Sequence, residues 1–171
     1  MTQLVFLDIE TTGLDPALHE VWEVAAASGD GHINNYFVPH TLRTADVTAL
    51  EMNGYHKRAP QHAVWARGFG SHADLELRKV LTGATIVGAN PAFDTSFLRS
   101  RWGAAPWHHR LIDVESMALV VLDYERPKGL LGLSADLRDR GHDIPEPDHT
   151  AAGDVATTRA VYNALRSEAA K

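Results

Sequence analysis

Apolar and polar positions divide this chain into short blocks that switch between the strand period and the helix period. Leu4 to Leu7 is a continuous apolar run ending in two carboxylates, Asp8 and Glu10, and then in the polar stretch Thr11, Thr12, Gly13. A run of that kind closed by turn formers predicts a strand buried on both faces. Val21 to Ala27 sets Trp22, Val24 and Ala26 against Val21, Glu23 and Ala25, and meets Gly29, Asp30 and Gly31. The pattern predicts a second strand, a tight hairpin and a returning strand over Ile33 to Val38, so that the first three strands make an antiparallel meander.

Helical spacing follows. Thr44 to Met52 predicts a short helix capped by Thr44 and stopped at Asn53 and Gly54. Tyr55, His56, Lys57 and Arg58 form an aromatic and basic cluster, either a solvated loop or a contact for a nucleic-acid strand. The next ten positions, 61–70, are ambiguous, because Trp65 and Phe69 are helically spaced while Gly68 and Gly70 oppose a helix. Ser71 to Leu81 predicts a helix ending at Gly83. Ala84 to Ala89 predicts another buried strand, feeding a helix to Trp102 with Asn90 as N-cap, Pro91 at the first helical position and Phe93 and Phe97 on its apolar face. Leu111 to Leu122 starts as a short strand and becomes a helix after Asp113, read as its cap. Leu130 to Arg140 is a helix closed by Gly141, and Val155, Thr158, Tyr162 and Leu165 mark one face of a closing helix.

Chemistry concentrates at a few of these boundaries. Side chains two apart on a strand share a face, so Asp8 and Glu10 project together from the strand end. Unless they are merely solvated, such a pair calls for a positive charge between them. Neither Cys nor His neighbours it, which favours a hard divalent cation over zinc. Gly13 lets backbone approach a phosphate or sugar closely. Asp94 lies one turn inside the helix that follows a buried strand, where open sheets place their ligands; alternatively it only complements the helix dipole. Asp154 begins the closing helix, and His149 precedes it by five residues, with an imidazole suited to taking a proton from an attacking water near neutral pH. The remaining histidines, His19, His32, His40, His56, His62, His72, His108, His109 and His142, have no partner at such spacing and are expected at the surface or in packing.

Composition narrows the classes. At 171 residues and 44% hydrophobic, the chain fills one core, and a single domain over 1–171 is expected. With no Cys, disulfides, thiolate metal sites and cysteine nucleophiles are excluded. A net charge of -6 argues against strong non-specific polyanion binding, although bound cations would offset several acids, and twelve of the sixteen basic residues are Arg, the better bidentate phosphate partner. No basic flank leads into an apolar signal core, and no stretch nears the roughly 20 apolar residues of a membrane span, so a soluble cytoplasmic protein is expected. There is no P-loop, no dinucleotide-binding glycine fingerprint and no Gly-x-Ser-x-Gly elbow.

Asp8, Glu10, Thr11, Thr12 and Gly13, then Asn90, Phe93 and Asp94, then His149 and Asp154 together resemble the DEDDh branch of the DnaQ-like 3'-5' exonuclease superfamily in order and interval. The sister branch carries Tyr four residues before the last Asp, where this chain has Thr150. Pro91 departs from the small residue common at that place. The resemblance implies an α/β, RNase H-like fold: a mixed five-stranded sheet, antiparallel meander plus parallel strands, flanked by helices. It implies hydrolysis of the terminal phosphodiester at single-stranded or frayed 3' ends, releasing nucleoside 5'-monophosphates, with two divalent cations, Mg2+ or Mn2+.

By the same resemblance Asp8 bridges both ions, Glu10 and Asp154 complete the one on the nucleophile side, Asp94 holds the second largely through water, and His149 is the general base. Thr11, Thr12, Gly13 and Leu14, with Asn90 and Phe93, would hold the terminal nucleotide, Leu14 wedged against a base; for Phe93 plain core packing is the alternative. The implied partner is a single-stranded DNA or RNA 3' end, with a DNA polymerase in trans and a homodimer both compatible and no membrane involved. Thr11 and Thr12 lean toward DNA; trimming of RNA ends or short oligoribonucleotides is the alternative. Two further readings fare worse. Haloacid dehalogenase-like phosphatases require Asp where Glu10 stands, and a catalytically dead binding module would be expected to have lost an acid.

Overall fold

Five strands, β1 (Leu4–Thr11), β2 (Val21–Ser28), β3 (Asn34–Phe37), β4 (Thr85–Gly88) and β5 (Ile112–Asp113), form one sheet in the order β3-β2-β1-β4-β5. The computed structural model describes residues 3–29, 31–59 and 71–171, so the ambiguous segment 61–70 and Asp30 of the hairpin lie outside the described residues. β1 pairs antiparallel with β2, and β2 with β3, which is the meander expected from the alternation. β4 pairs parallel with β1, and β5 parallel with β4. The strand carrying the paired acids is therefore the central one.

The alternation of side chains along β1 sorts the core into two layers. Val5, Leu7 and Ile9 face one side with Leu77, Leu81, Phe97 and Leu98, contributed by α3 (His72–Leu81) and α4 (Pro91–Trp102). Phe6 faces the other, with Val114, Leu133, Val155 and Leu165 from α5 (Val114–Val121), α6 (Gly129–Asp139) and α7 (Ala151–Glu168). Each such buried aliphatic or aromatic side chain contributes roughly 1.5–3 kcal/mol relative to leaving it exposed. Asp8 and Glu10 continue the Phe6 row, which brings them under the start of α7. No helix among the described residues is long and apolar enough to cross a membrane.

Several boundaries depart from expectation. The short helix α1 (Val47–Met52) is capped by Asp46, which accepts from the N–H of Thr48 at 2.7 Å, while the Thr44 hydroxyl bonds to the Leu18 carbonyl. A carboxylate one residue before the first turn reaches the orphan N–H groups, and Thr44 lies too early to do so. Asn90 stands at the N-cap position of α4 but is left-handed, with φ 55°, and makes no side-chain cap bond. Its own N–H donates to Asp113 Oδ1 at 3.1 Å, and Asp113 also caps α5 through the N–H of Glu115.

The cluster at Tyr55 to Arg58 is not a loop but one turn of helix, α2 (Tyr55–Arg58), with Tyr55 buried, Arg58 half-buried, and His56 and Lys57 exposed. Tyr55 is 4% exposed and packs edge-on to Trp22. His40 donates from Nδ1 to the Val38 carbonyl at 2.8 Å, so its Nε2 accepts from the Tyr55 hydroxyl at 2.6 Å. Burial lowers the pKa of His40 in keeping with that neutral state.

Candidate active site

β1 runs past its parallel neighbour: the pairing with β4 ends at Phe6 and Val87. Beyond that point the Ile9 N–H has no strand partner on the β4 side, and Asp94 Oδ1, from the first turn of α4, accepts it at 3.1 Å. Gly88 makes that approach feasible, since a Cβ there would lie 2.9 Å from Pro91 Cβ and 3.3 Å from the Leu7 carbonyl. Asp94, 3% exposed, is thereby fixed against the acidic end of β1 from the opposite layer.

Asp154 completes the group from α7. One carboxylate oxygen from each of Asp8, Glu10 and Asp154 lies within 4.8 Å of the others. All four acids resist ionisation. Burial, followed by the charges of Asp94, Asp154, Glu10 and Glu23, holds Asp8 well above the usual carboxylate range. Burial and the charges of Asp154 and Glu23 push Glu10 up to about 8, against the opposing pull of Arg58 and Asn53. Asp94 is raised to about 7 by burial, despite the Ile9 N–H. Asp154 is raised chiefly by burial, with the Asp148 N–H and the His149 side chain working against it.

Oxygen-only donors that repel one another at this range suit a hard divalent cation, which would supply the charge the protein withholds.

His149 belongs to a short strap between Pro147 and the N-terminus of α7. It is exposed and left-handed, with φ 56°. The strap is tied on both sides: the Asp148 N–H donates to Asp154 Oδ1 at 3.1 Å, and Asp148 Oδ1 accepts from the N–H and the hydroxyl of Thr150 at 3.0 and 2.7 Å. Thr150 in turn caps α7 by accepting the Gly153 N–H at 2.9 Å. The imidazole thus stands next to the acid that its own strap holds.

Thr11 and Thr12 are buried and spend their hydroxyls on the loop: Thr11 donates to the Gly13 carbonyl at 2.7 Å, and Thr12 accepts the Glu20 N–H at 2.9 Å. Gly13, at φ 158°, lies against the His19 ring, 2.4 Å from it if a Cβ were added. Leu14 is 78% exposed beside this loop, Asn90 is exposed, and Phe93 is half-buried with its ring 4.9 Å from that of Phe97. A cavity of about 560 Å³ borders the loop, lined by residues that include His19, His40, Arg101 and Trp102 but none of the four acids.

Sequence reasoning passed over Glu23. It is 1% exposed, pairs across the sheet with Glu10, and receives Arg58 Nη1 at 2.7 Å and Asn35 Nδ2 at 2.8 Å. A lone acid inside the apolar run of β2 was the available signal, because a buried carboxylate demands a partner.

The exonuclease family RNase T matches residues 5–162 of the chain. No curated protein sequence matches. Among solved structures, E. coli exonuclease I in complex with a dT13 oligonucleotide is 18% identical with a TM-score of 0.71, covering 98% of this chain and 42% of that one. Exonuclease I from Methylocaldum szegediense is 21% identical with a TM-score of 0.71, over 100% of this chain and 42% of that one. Brucella melitensis NrnC with bound Mg2+ is 19% identical with a TM-score of 0.60, over 98% and 74%. The chain spans less than half the length of the exonuclease I structures it matches. The shared architecture is the RNase H-like one, a mixed sheet flanked by helices.

Proposed function

The chain belongs to the RNase T exonuclease family, within the DnaQ-like 3'-5' exonuclease superfamily, and from that premise we propose that it removes nucleotides one at a time from 3' ends of single-stranded DNA. The observation that carries this reading is the convergence of Asp8, Glu10 and Asp154 oxygens within 4.8 Å, with Asp94 hydrogen-bonded to the intervening Ile9. His149, five residues before Asp154, and Thr150 in place of a tyrosine support the DEDDh branch.

Divalent cations bound there would supply charge neutralisation at a phosphoryl group and would ease deprotonation of water. Asp8 and Glu10, on one face of a rigid central strand, and Asp154, on the first turn of α7, present the oxygens that hold them. Asp94 would help hold a cation from the other layer, largely through water, with one oxygen kept on the Ile9 N–H. His149 takes the proton of the attacking water on an imidazole nitrogen, its exposure allowing it to swing over a bound 3' end. The Thr12 to Leu14 loop abuts the terminal nucleotide, and exposed Leu14 wedges beside its base.

A digest of 5'-labelled single-stranded DNA, duplex with a mismatched 3' end, and RNA, each with Mg2+, Mn2+ or chelator, tests the reading. Stepwise shortening from the 3' end with a cation, absent with chelator and in Asp8→Asn, is expected. Internal cuts or unchanged substrate would overturn it, and preferential shortening of RNA would transfer the assignment to an exoribonuclease.

A further inference from the structure

Arg58 joins three chain segments at the acidic end of the sheet. Its Nη1 donates to Glu23 Oε2 on β2 at 2.7 Å. Its Nε and Nη2 donate to the Asn53 carbonyl, at the end of α1, at 3.0 and 2.7 Å. Nη2 also donates to the His149 carbonyl at 3.1 Å, and the guanidinium sits 4.9 Å from the centroid of the Trp22 ring. Asn53 is itself anchored to the site, its Nδ2 donating to the Thr11 carbonyl at 3.0 Å.

The planar fork of Arg makes such a three-way junction in a way that a Lys point charge does not. The strap needs an anchor, because a non-glycine residue at φ 56° is held only when its surroundings impose it. The bond from Arg58 reaches the strap at the left-handed residue itself. Among the described residues, the strap's other ties, to Asp154 and within Asp148 to Thr150, run only to α7 and to its own residues. Arg58 is thus the tie between the His149 backbone and the β1–β2 side of the site.

We propose that Arg58 is a positioning residue: it uses buried Glu23 and the Asn53 carbonyl as a fixed base from which it holds the His149 backbone over the acid cluster. This rests on the reading of His149 as general base.

Arg58→Met alone would leave the buried Glu23 carboxylate with Asn35 but without its cation and lower the melting temperature, so the informative variant is Glu23→Gln/Arg58→Met, with Glu23→Gln as its control. Two readouts apply. Amide hydrogen exchange over residues 148–151, measured without substrate, should speed up at least tenfold in the double variant and stay near the parent in Glu23→Gln, while exchange in β1 is unchanged. In the exonuclease assay, kcat should fall at least tenfold in the double variant with KM little changed, and the fall should vanish when both are compared in a His149→Ala background, because residues acting through one another are non-additive. Unchanged exchange over the strap, or an equal loss of kcat with and without His149, would overturn the proposal. A parent protein that cleaves nothing, with the faster exchange still seen in the double variant, would sink the nuclease reading and leave the anchoring of the strap standing.

Discussion

Asp94 Oδ1 accepts the backbone N–H of Ile9 at 3.1 Å, so an acid from a helix on one layer is pinned between two acids that point to the other. The bond depends on an oxygen acceptor and not on charge, which separates two substitutions. Asp94→Asn should keep the fold, with melting within a few degrees of the parent, and still lose at least 10²-fold in exonuclease rate. Asp94→Ala should also lose stability, by about 1–3 kcal/mol, because the buried Ile9 N–H is left without a partner. Thermal melts beside rate measurements distinguish the two.

Crowded acids make metal-free stability fall as pH rises. Glu10 goes from an ordinary 4.5 to about 8 on folding, and Asp8, Asp94 and Asp154 are raised as well. The folded state therefore binds more protons than the unfolded state between pH 4.5 and about 8, and its stability declines across that window. In chelator, melting temperature should drop between pH 5.5 and pH 8, at about 2–4 °C for each kcal/mol lost. Mg2+ or Mn2+ should restore it, most at the alkaline end, because cations compete with protons for the same oxygens. A flat profile in chelator would contradict the mutual repulsion.

Removing one of these charges should accordingly help the metal-free fold. Asp8→Asn is expected to melt higher than the parent in chelator at pH 8, to gain little from added Mg2+, and to have no measurable exonuclease activity. Calorimetry with and without the cation measures all but the last.

His149 is exposed and, among the described residues, hydrogen-bonded to the rest of the site only through its backbone, so His149→Ala should leave melting unchanged. A rate loss of roughly 10²- to 10⁴-fold is expected for a general base, with oligonucleotide affinity retained. Binding measured by fluorescence anisotropy in Ca2+, beside single-turnover rates in Mg2+, gives both quantities.

Gly153 sits where a Cβ would come 2.1 Å from Asp148 Oδ1. Gly to Ala inside a helix ordinarily gains about 1 kcal/mol. Here the methyl group would evict the Asp148 carboxylate from two bonds to Thr150, worth about 0.5–1.5 kcal/mol each, so Gly153→Ala should be neutral to mildly destabilising. Its larger effect should be on rate, at least tenfold, since the strap bearing His149 loses its internal brace. A variant more stable than the parent and fully active would refute this.

Among the described residues, the central strand, the meander and every helix but α2 were legible along the chain, because apolar spacing is a local record of which face is covered; the parallel pairing of β1, β4 and β5 was expected only from the family resemblance. Asp8 and Glu10 were legible as a pair for the same reason, being two apart on one strand. Asp113 as cap and Pro91 at the first helical position followed from local backbone chemistry. Misplaced features were those with competing local answers. Thr44 and Asp46 are both good caps, and only the start of α1 chooses between them.

By itself, then, the sequence determined the order of elements, the burial of β1 and the chemical types gathered at its end. Tertiary structure alone decided what neutralises and holds them. Tyr55 to Arg58 resembles a solvated basic cluster until α2 packs on Trp22 and Arg58 meets Glu23. Asp94 looks like any acid in a first helical turn until β1 outruns β4 and leaves the Ile9 N–H to be satisfied. The physical reason is common to both: a buried charge or an unpaired N–H must find a partner, and that partner stands 35 residues away in one case and 85 in the other.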